Sequence, residues 1–506
     1  MTNTRIISHG YVLTCDPENR GGFLHLVIRD GVIVELSPDL EELEKRYHGA
    51  TLINARGKLL TPGFVNAHCH SDSFLHRRYT DGRHYLQWSK AKEFEKIQRL
   101  LIEAESRRDI GALYHAAYCS HLRAGTTTVG EFPPPVDDKG LITVLQEIER
   151  SEVLGVVSLQ NWDQISAARD LGEGRPPMNI SLGKEGEYTV YSFESILNAS
   201  RSTELPVVAH LAELKDDADV IRRNFQKNPL TLLAEYAVFE RGTTILHGNY
   251  LTDNDVALVQ AYGVPLVITP RSTAFKQTGY PSLKDMMNAN VFMSFGTDWG
   301  RFDMLGEMQF FSHLTITLPG FQQHNSMQLL RMATINGAHA LGVERKVGSL
   351  EVGKRADIVF FSIDSLRIPP PDLSPTAIAM ADVLLRYLHT GDITSVMVRG
   401  EFGLHDRQLV ISDEQEIRKS AEQLMRKYYP APLSEKPQIQ PPKVISFVQT
   451  PSSEAVDGFE KGRPPREETA ILEMPPVPSE YRKPVLQKKP QLPKDVRKVF
   501  GDDDDA

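Results

Sequence analysis

The sequence predicts an α/β protein in which a (β/α)8 TIM barrel is flanked by a small β-sandwich formed from both chain ends and followed by a disordered C-terminal tail. Three observations lead to this prediction. From Thr61 onward, short strand patterns alternate with helical stretches, which is typical of a parallel sheet. Eight such units over about 280 residues match the size of the barrel. Further strand patterns stand on both sides of this region, and a proline-rich segment closes the chain.

The N-terminal region carries several strand signals and one helical insert over Asp39–Tyr47. Asp30-Gly31 is a hairpin marker between two of the strands. The predicted strands are Arg5–Leu13, His25–Arg29, Val32–Leu36 and Thr51–Asn54.

The barrel region begins with a strand entered through the turn Pro62-Gly63. Amphipathic stretches such as Ala104–Ala124 and Leu230–Glu240 lie between the strand candidates. The eight predicted strands are Phe64–His70, Thr126–Phe132, Leu154–Gln160, Tyr188–Ser192, Pro206–Glu213, Thr243–Tyr250, Pro265–Pro270 and Val291–Asp298.

A helix over Ser326–Leu341 precedes the return to strands at Asp357–Phe361 and Ser395–Val398. Residues 431–506 hold 13 of the 32 prolines and lack periodicity, so we expect this tail to be disordered. The predicted boundaries are 1–58 and 346–410 for the two parts of the sandwich, 59–345 for the barrel, 411–430 for a helical extension and 431–506 for the tail.

Composition excludes several classes of protein. Apolar content of 41% and charged content of 24% are those of a soluble globular protein. A net charge of −9 without a basic block predicts that nucleic acid is not a partner. Three cysteines cannot form a disulfide framework, which indicates a reducing compartment. Because no apolar run is long enough for a membrane span or leader, we predict a cytoplasmic protein without a membrane partner.

The first barrel strand carries two histidines on one face. Side chains alternate along a strand, so His68 and His70 point to the same side and Cys69 points away. Two neighbouring imidazoles can bind a divalent metal, although a pair of hydrogen-bonded histidines is the alternative. This motif alone does not decide between the two.

Polar residues recur where the predicted barrel strands end. A barrel of this type carries its active site at the C-terminal ends of the strands. Singly, Asp298 could be a helix N-cap and Glu213 a first-turn glutamate, and the histidines could bond to the backbone. Together these groups favour a metal site. They are His68, His70, His210, Glu213, His247 and Asp298.

These motifs resemble those of the amidohydrolase superfamily. Within it, the chain is similar to the mononuclear metal branch of cytosine, guanine and S-adenosylhomocysteine deaminases and triazine hydrolases. Glu213 stands three residues after His210, and no lysine ends the predicted fourth strand, where binuclear members have a carbamylated ligand. The segments that carry the resemblance are Thr61–His70, His210–Glu213, His247–Thr252, Gly296–Asp298, Ala333–Gly342 and Gly348–Asp357.

The resemblance implies one divalent metal per chain, with Zn²⁺ favoured over Fe²⁺ or Mn²⁺. It implies His68, His70, His210 and Asp298 as ligands and Glu213, His247 and Asp298 as catalytic residues. Glu213 would protonate a ring nitrogen, His247 would hydrogen-bond the attacking hydroxide, and Asp298 would carry its proton to the leaving group. Candidates to line the pocket lie on loops after the strand ends, with surface solvation as the alternative for each arginine. They are Arg77, Arg78, Trp88, Trp162, Arg271, Arg301 and Phe302, of which we assign Arg77, Trp88 and Arg271 to substrate binding.

The predicted function is hydrolysis of a carbon–nitrogen bond other than a peptide bond, by deamination of an amino-substituted N-heterocycle with a metal-activated water. The predicted partner is a small-molecule substrate. A homo-oligomer is compatible with the sequence, which does not fix the oligomeric state. One alternative is hydrolysis of a cyclic amide or of another ring substituent, as in chlorohydrolases or imidazolonepropionase. Another is a non-catalytic barrel scaffold. The segment Thr269–Thr273 and Trp299 depart from the usual pattern near the pocket, so the sequence does not name the substrate.

Overall fold

A computed structural model describes most of the chain. The described residues are 3–76, 84–89, 107–134, 138–161, 164–166, 177–182, 190–299, 301–316, 325–368 and 375–428. Arg77, Arg78, Trp162 and the predicted tail 431–506 lie outside these ranges. Within them, no helix has both the length and the apolar character that a membrane span requires.

The N-terminal strands contribute to two β-sheets. A four-stranded sheet has the order β5-β4-β1-β6, in which β1 and β4 are antiparallel. Helix α1 (Leu40–Arg46) precedes β6 and is capped by Asp39, whose side chain accepts a hydrogen bond from the Glu42 amide. The strands are β1 (Thr4–Ser8), β2 (Tyr11–Leu13), β3 (Gly21–Phe23), β4 (His25–Arg29), β5 (Val32–Ser37), β6 (Thr51–Asn54) and β7 (Lys58–Pro62).

Eight parallel strands then form the barrel, and they pair in chain order. They are β8 (Phe64–Cys69), β9 (Thr126–Glu131), β10 (Leu154–Leu159), β11 (Met178–Leu182), β12 (Val207–Leu211), β13 (Thr244–His247), β14 (Leu266–Ile268) and β15 (Met293–Phe295). The described helices of this region are α2 (Ser73–His76), α3 (Tyr85–Trp88), α4 (Arg107–Arg123), α5 (Asp138–Arg150), α6 (Val190–Thr203), α7 (Lys215–Phe225), α8 (Pro229–Glu235), α9 (Asp253–Tyr262), α10 (Pro270–Lys276), α11 (Leu283–Asn288), α12 (Met304–Ile316), α13 (Ser326–Met332) and α14 (Ile335–Ala340).

The barrel closes where the segment after β15 meets β8. Cys69 and Asp298 form a parallel bridge. The amides of Thr297 and Asp298 both donate to the carbonyl of His68, at 2.9 Å each. The Asn66 side chain accepts from the Thr297 amide at 2.9 Å and donates to the Thr297 hydroxyl at 2.7 Å. Closure therefore brings the last strand end directly beside the first His motif.

The C-terminal strands complete the second sheet. They are β16 (Ile358–Ser362), β17 (Ile393–Val398), β18 (Glu401–His405) and β19 (Gln408–Leu409), with α15 (Ala377–Tyr387) before β17 and α16 (Glu414–Tyr428) after β19. The seven-stranded sheet has the order β19-β18-β17-β16-β7-β2-β3, so strands from both chain ends share it.

Apolar side chains from the two sheets form one buried cluster that includes Ile7, Leu26, Leu60, Ile358 and Met397. The predicted barrel with a sandwich from both chain ends is confirmed as the fold class. The domain boundaries drawn from the sequence stay a prediction.

Two local predictions were wrong. The fourth barrel strand is Met178–Leu182, and Val190–Ser192 of the predicted strand belongs to α6. Met178–Leu182 alternates apolar and polar residues but is short, whereas the aromatic and β-branched residues of Tyr188–Ser192 have high strand propensity that the tertiary fold overrides. The helix predicted over Ser326–Leu341 is interrupted at Thr334, whose backbone is not helical.

The observed fourth strand has a lysine close behind its end in the sequence. Lys184 follows the observed fourth strand by two residues, outside the described ranges. The absence of a lysine at that strand end therefore no longer supports the mononuclear branch.

Candidate metal centre

The ends of four barrel strands bring the six predicted residues together. His68 lies in β8 and His70 follows it, while His210 lies in β12 and His247 ends β13. Their nitrogens and the carboxylate oxygens of Glu213 and Asp298 form three overlapping groups, and within each group the candidate ligand atoms lie within 4.8 Å of one another. The groups are His68/His210/His247, His68/His70/Asp298 and Glu213/His247/Asp298.

The distances describe a compact cluster around His68. Its ring centroid lies 5.0 Å from that of His70, 4.9 Å from that of His210 and 5.4 Å from that of His247. Oδ1 of Asp298 lies 3.5 Å from Nε2 of His68 and 3.4 Å from Nε2 of His70. Four imidazoles and a carboxylate thus converge on one small volume.

Backbone strain marks the same edge of the barrel. Ala212, His247 and Asp298 have φ values of 52°, 70° and 47°, in the left-handed region that non-glycine residues rarely adopt. Such conformations cost about 1–3 kcal/mol each and persist where the surrounding structure imposes them, often at functional sites. Here they turn the chain directly after β12, at the last residue of β13 and three residues beyond β15.

The protonation states suit metal binding. Burial lowers the pKa of His70 and His210 well below the usual range, and neighbouring histidines lower it further. Burial also lowers the pKa of His247 to about 4. Burial alone would raise the pKa of Asp298, but Lys276 and the histidines outweigh it and hold that pKa well below its usual value. His70, His210 and His247 are therefore neutral and Asp298 is ionised near neutral pH, which are the forms that ligate metals.

Several buried polar atoms lack a hydrogen bond. Among the described residues, Nε2 of His68, Nε2 of His247 and Oδ1 of Asp298 are inaccessible to solvent and have no hydrogen-bond partner. Buried polar atoms are normally satisfied, so such atoms facing one another need an explanation. A divalent cation would satisfy His68 and Asp298 together, since histidine nitrogen and carboxylate oxygen are both zinc ligands. The donor set fits a divalent metal.

Lys276 is part of the site, and the sequence analysis missed it. Its Nζ lies 2.6 Å from Oδ2 of Asp298 and 2.8 Å from Oε1 of Glu213. Burial opposes the ammonium charge, but these two carboxylates outweigh burial and raise the pKa of Lys276. The Ser272 hydroxyl donates to the same Oδ2 of Asp298 at 2.7 Å. Ser272 and Lys276 are four residues apart on α10 and share a face, which is the signal that could have identified them.

Aromatic rings surround the clustered histidines. The rings of Phe132 and Trp299 lie 5.2 Å and 5.5 Å from that of His70. Trp88, predicted to contact substrate, is buried and lies 5.6 Å from Trp299 and 4.8 Å from Tyr85. These rings form an aromatic wall beside the histidines.

Other predicted pocket residues have contacts of their own. The Arg271 guanidinium lies 3.3 Å from a carboxylate oxygen of Asp303 and 3.9 Å from one of Glu307. Phe302 stacks on His121 with ring centroids 4.0 Å apart. Arg301 is exposed. The roles of Arg271 and Trp88 stay predictions, and Arg77 lies outside the described residues.

The chain matches one family model and a relative of known name over most of its length. A family model described as the amidohydrolase family matches residues 59–402. The chain is 26% identical over 446 residues to the 5-methylthioadenosine/S-adenosylhomocysteine deaminase of Desulforudis audaxviator, which covers 83% of this chain and 98% of that relative.

Two solved structures share the fold. An adenosine deaminase from Xanthomonas campestris with bound zinc has a TM-score of 0.75 at 21% identity, covering 84% of this chain and 98% of the other. A mutant atrazine chlorohydrolase from Arthrobacter aurescens, complexed with zinc and atraton, has a TM-score of 0.72 at 18% identity, covering 83% and 99%.

Proposed function

We propose that this chain, which belongs to the amidohydrolase family, is a metal-dependent hydrolase. Its reaction removes an amino group from an N-heterocycle as ammonia. The observation that carries this proposal is the cluster at the strand ends, where four histidines meet Asp298 and Glu213. A relative named as a deaminase, which aligns over nearly its full length, supports the reaction type.

His68, His70, His210 and Asp298 are the proposed ligands of one metal ion per chain, and Zn²⁺ suits their nitrogen and oxygen donors. When bound, such an ion lowers the pKa of a water molecule toward neutrality and so supplies a nucleophile at neutral pH. Asp298 would use Oδ1, which makes no hydrogen bond among the described residues. The carboxylate, held in place through Oδ2 by Lys276 and Ser272, would take the proton from the water and pass it to the leaving amine.

Glu213 is the proposed acid for the ring nitrogen. Its Oε1 accepts a hydrogen bond from Lys276, whereas Oε2 lies 3.8 Å from Nε2 of His247. Oε2 is thus the oxygen that remains available to carry a proton to the substrate. A positioned acid or base of this kind contributes about 10²–10⁴-fold to the rate.

His247 is proposed to hold the oxygen that is added to the substrate. Its Nδ1 lies 3.4 Å from the Thr269 hydroxyl, which orients the ring. Its buried Nε2 faces Glu213 and has no hydrogen-bond partner in the described part of the chain. With the pKa of this imidazole lowered to about 4, the ring is neutral at pH 7 and carries its proton on one nitrogen only.

The proposed substrate is a flat, small heterocycle. Trp299 and Phe132 flank His70, and aromatic side chains pair favourably with planar rings. A non-catalytic scaffold is disfavoured because none of the six polar groups is replaced. We retain the sequence-based predictions of a cytoplasmic location and no nucleic-acid partner.

The test is a screen for ammonia release by purified, zinc-loaded protein. The compounds are 5-methylthioadenosine, S-adenosylhomocysteine, aminopurines, pterins and aminopyrimidines. We expect at least one to release ammonia, and the release to stop when a chelator removes the metal. If none does, while a cyclic amide or a chlorinated triazine is hydrolysed, the deaminase proposal is wrong and the alternative hydrolase holds.

A further inference from the structure

Lys276 lies between the two acids of the site. Its ammonium contacts Glu213 at 2.8 Å and Asp298 at 2.6 Å, and only 2% of the residue is exposed. The Tyr85 ring lies beneath the ammonium, 4.8 Å from the nitrogen. A buried ammonium held by two carboxylates has a fixed position and little freedom to leave it.

The same two carboxylates belong to a second set of metal-capable groups. Oxygens of Glu213 and Asp298 and a nitrogen of His247 lie within 4.8 Å of one another, which is close enough to hold a cation. Asp298 also belongs to the set with His68 and His70. The six residues could therefore hold two neighbouring cations that share Asp298, as in two-metal hydrolytic sites.

We propose that Lys276 is a positioning residue whose ammonium takes the place of a second metal ion on the Glu213/His247/Asp298 set and so limits the site to one metal. The proposal rests on the proposed metal centre. The ammonium already binds one oxygen of each carboxylate, and its positive charge repels a cation brought close to it in a buried site. In the same way it fixes Glu213, whose second oxygen faces His247.

Metal stoichiometry tests the proposal without reference to activity. Metal-free protein is equilibrated with excess Zn²⁺, passed through a desalting column in buffer of fixed free Zn²⁺, and analysed for zinc per chain. We expect about one zinc ion in the wild type and about two in Lys276→Met. The double variant Lys276→Met/Glu213→Gln should return to about one, because it lacks a ligand of the second site. Lys284→Met, which alters an exposed lysine on α11, is the matched control and should hold one.

Lys276→Met leaves two buried carboxylates without their cation, so folding is checked by thermal unfolding. If this variant does not fold, Lys276→Gln replaces it, since an amide can still donate to both carboxylates but carries no charge. A folded Lys276 variant that holds only one zinc ion overturns the proposal, as does a wild type that holds two. If the wild type binds no zinc, both the proposed metal centre and the proposed function are wrong.

Discussion

Two buried aspartates in different regions of the molecule have opposite environments. Asp357, which precedes β16 of the seven-stranded sheet, lies between a backbone amide and a guanidinium. Oδ1 accepts from the Arg399 amide at 2.8 Å, and Oδ2 lies 3.2 Å from the Arg355 guanidinium. At the barrel edge, Ser272 and Lys276 hold Oδ2 of Asp298, whereas Oδ1 lies 3.5 Å and 3.4 Å from Nε2 of His68 and His70. Among the described residues, neither this Oδ1 nor Oδ2 of Asp357 accepts a hydrogen bond, so the two aspartates differ in what the oxygen faces: imidazoles in one, a guanidinium in the other.

Burial of a charge therefore does not by itself identify a functional site. Burial raises the pKa of Asp357, whose neighbours only partly offset the cost. Around Asp298 the neighbours outweigh burial, and its pKa is held well below the usual value. What distinguishes the functional candidate is an ionised oxygen directed at other candidate metal ligands.

The largest expected effect is that of Glu213→Gln. The amide keeps the size of the side chain but cannot carry a proton, so turnover should fall by about two to four orders of magnitude while the metal is retained. The rate on the substrate that the screen identifies and the zinc content are measured together. Asp357→Asn is the matched control and should keep the wild-type rate per folded chain. Loss of metal in Glu213→Gln would show that the glutamate is a ligand. An unchanged rate would show that another group is the acid.

The paired variants Asp298→Asn and Asp357→Asn test the comparison itself. Asp298→Asn should lose most of its zinc at free concentrations that saturate the wild type, since the ligand charge is gone. Asp357→Asn should keep its zinc and lose about 1–3 kcal/mol of unfolding free energy, because Arg355 is left without its charged partner. Zinc analysis and denaturant unfolding separate the two effects. If both variants lose metal, or neither does, the contrast between the two regions is wrong.

Removal of residues 431–506 has the smallest expected effect. Segments rich in proline and polar residues bury little apolar surface, so the shortened protein should keep its rate and melt within about 2 °C of the full chain. Thermal unfolding and the ammonia assay measure this. A larger drop in melting temperature would mean that the tail contributes to the folded structure.

Much of the barrel edge was predictable from local patterns. Strand alternation puts His68 and His70 on one face, and the polar residues at later strand ends follow from the (β/α)8 arrangement. The fourth strand was missed because Met178–Leu182 has only five residues, and strand propensity favoured Tyr188–Ser192.

Lys276 was missed for a different reason. On a seven-residue helix, a lysine is normally solvated, and only the approach of Glu213 and Asp298 from other strand ends explains its burial. The orphaned Oδ1 of Asp298 is likewise a tertiary property. Local sequence therefore predicts which residues reach the site, and the fold determines which of them face one another.

The proposed function requires one catalytic divalent metal per chain at the barrel edge. The test is a titration of metal-free protein with Zn²⁺ in which ammonia release and bound zinc are both measured. His210→Ala is the variant that should bind little zinc and show no activity. We predict that activity rises in proportion to bound zinc and stops rising near one ion per chain. Activity that is full without metal, or that continues to rise to two ions, would contradict the account.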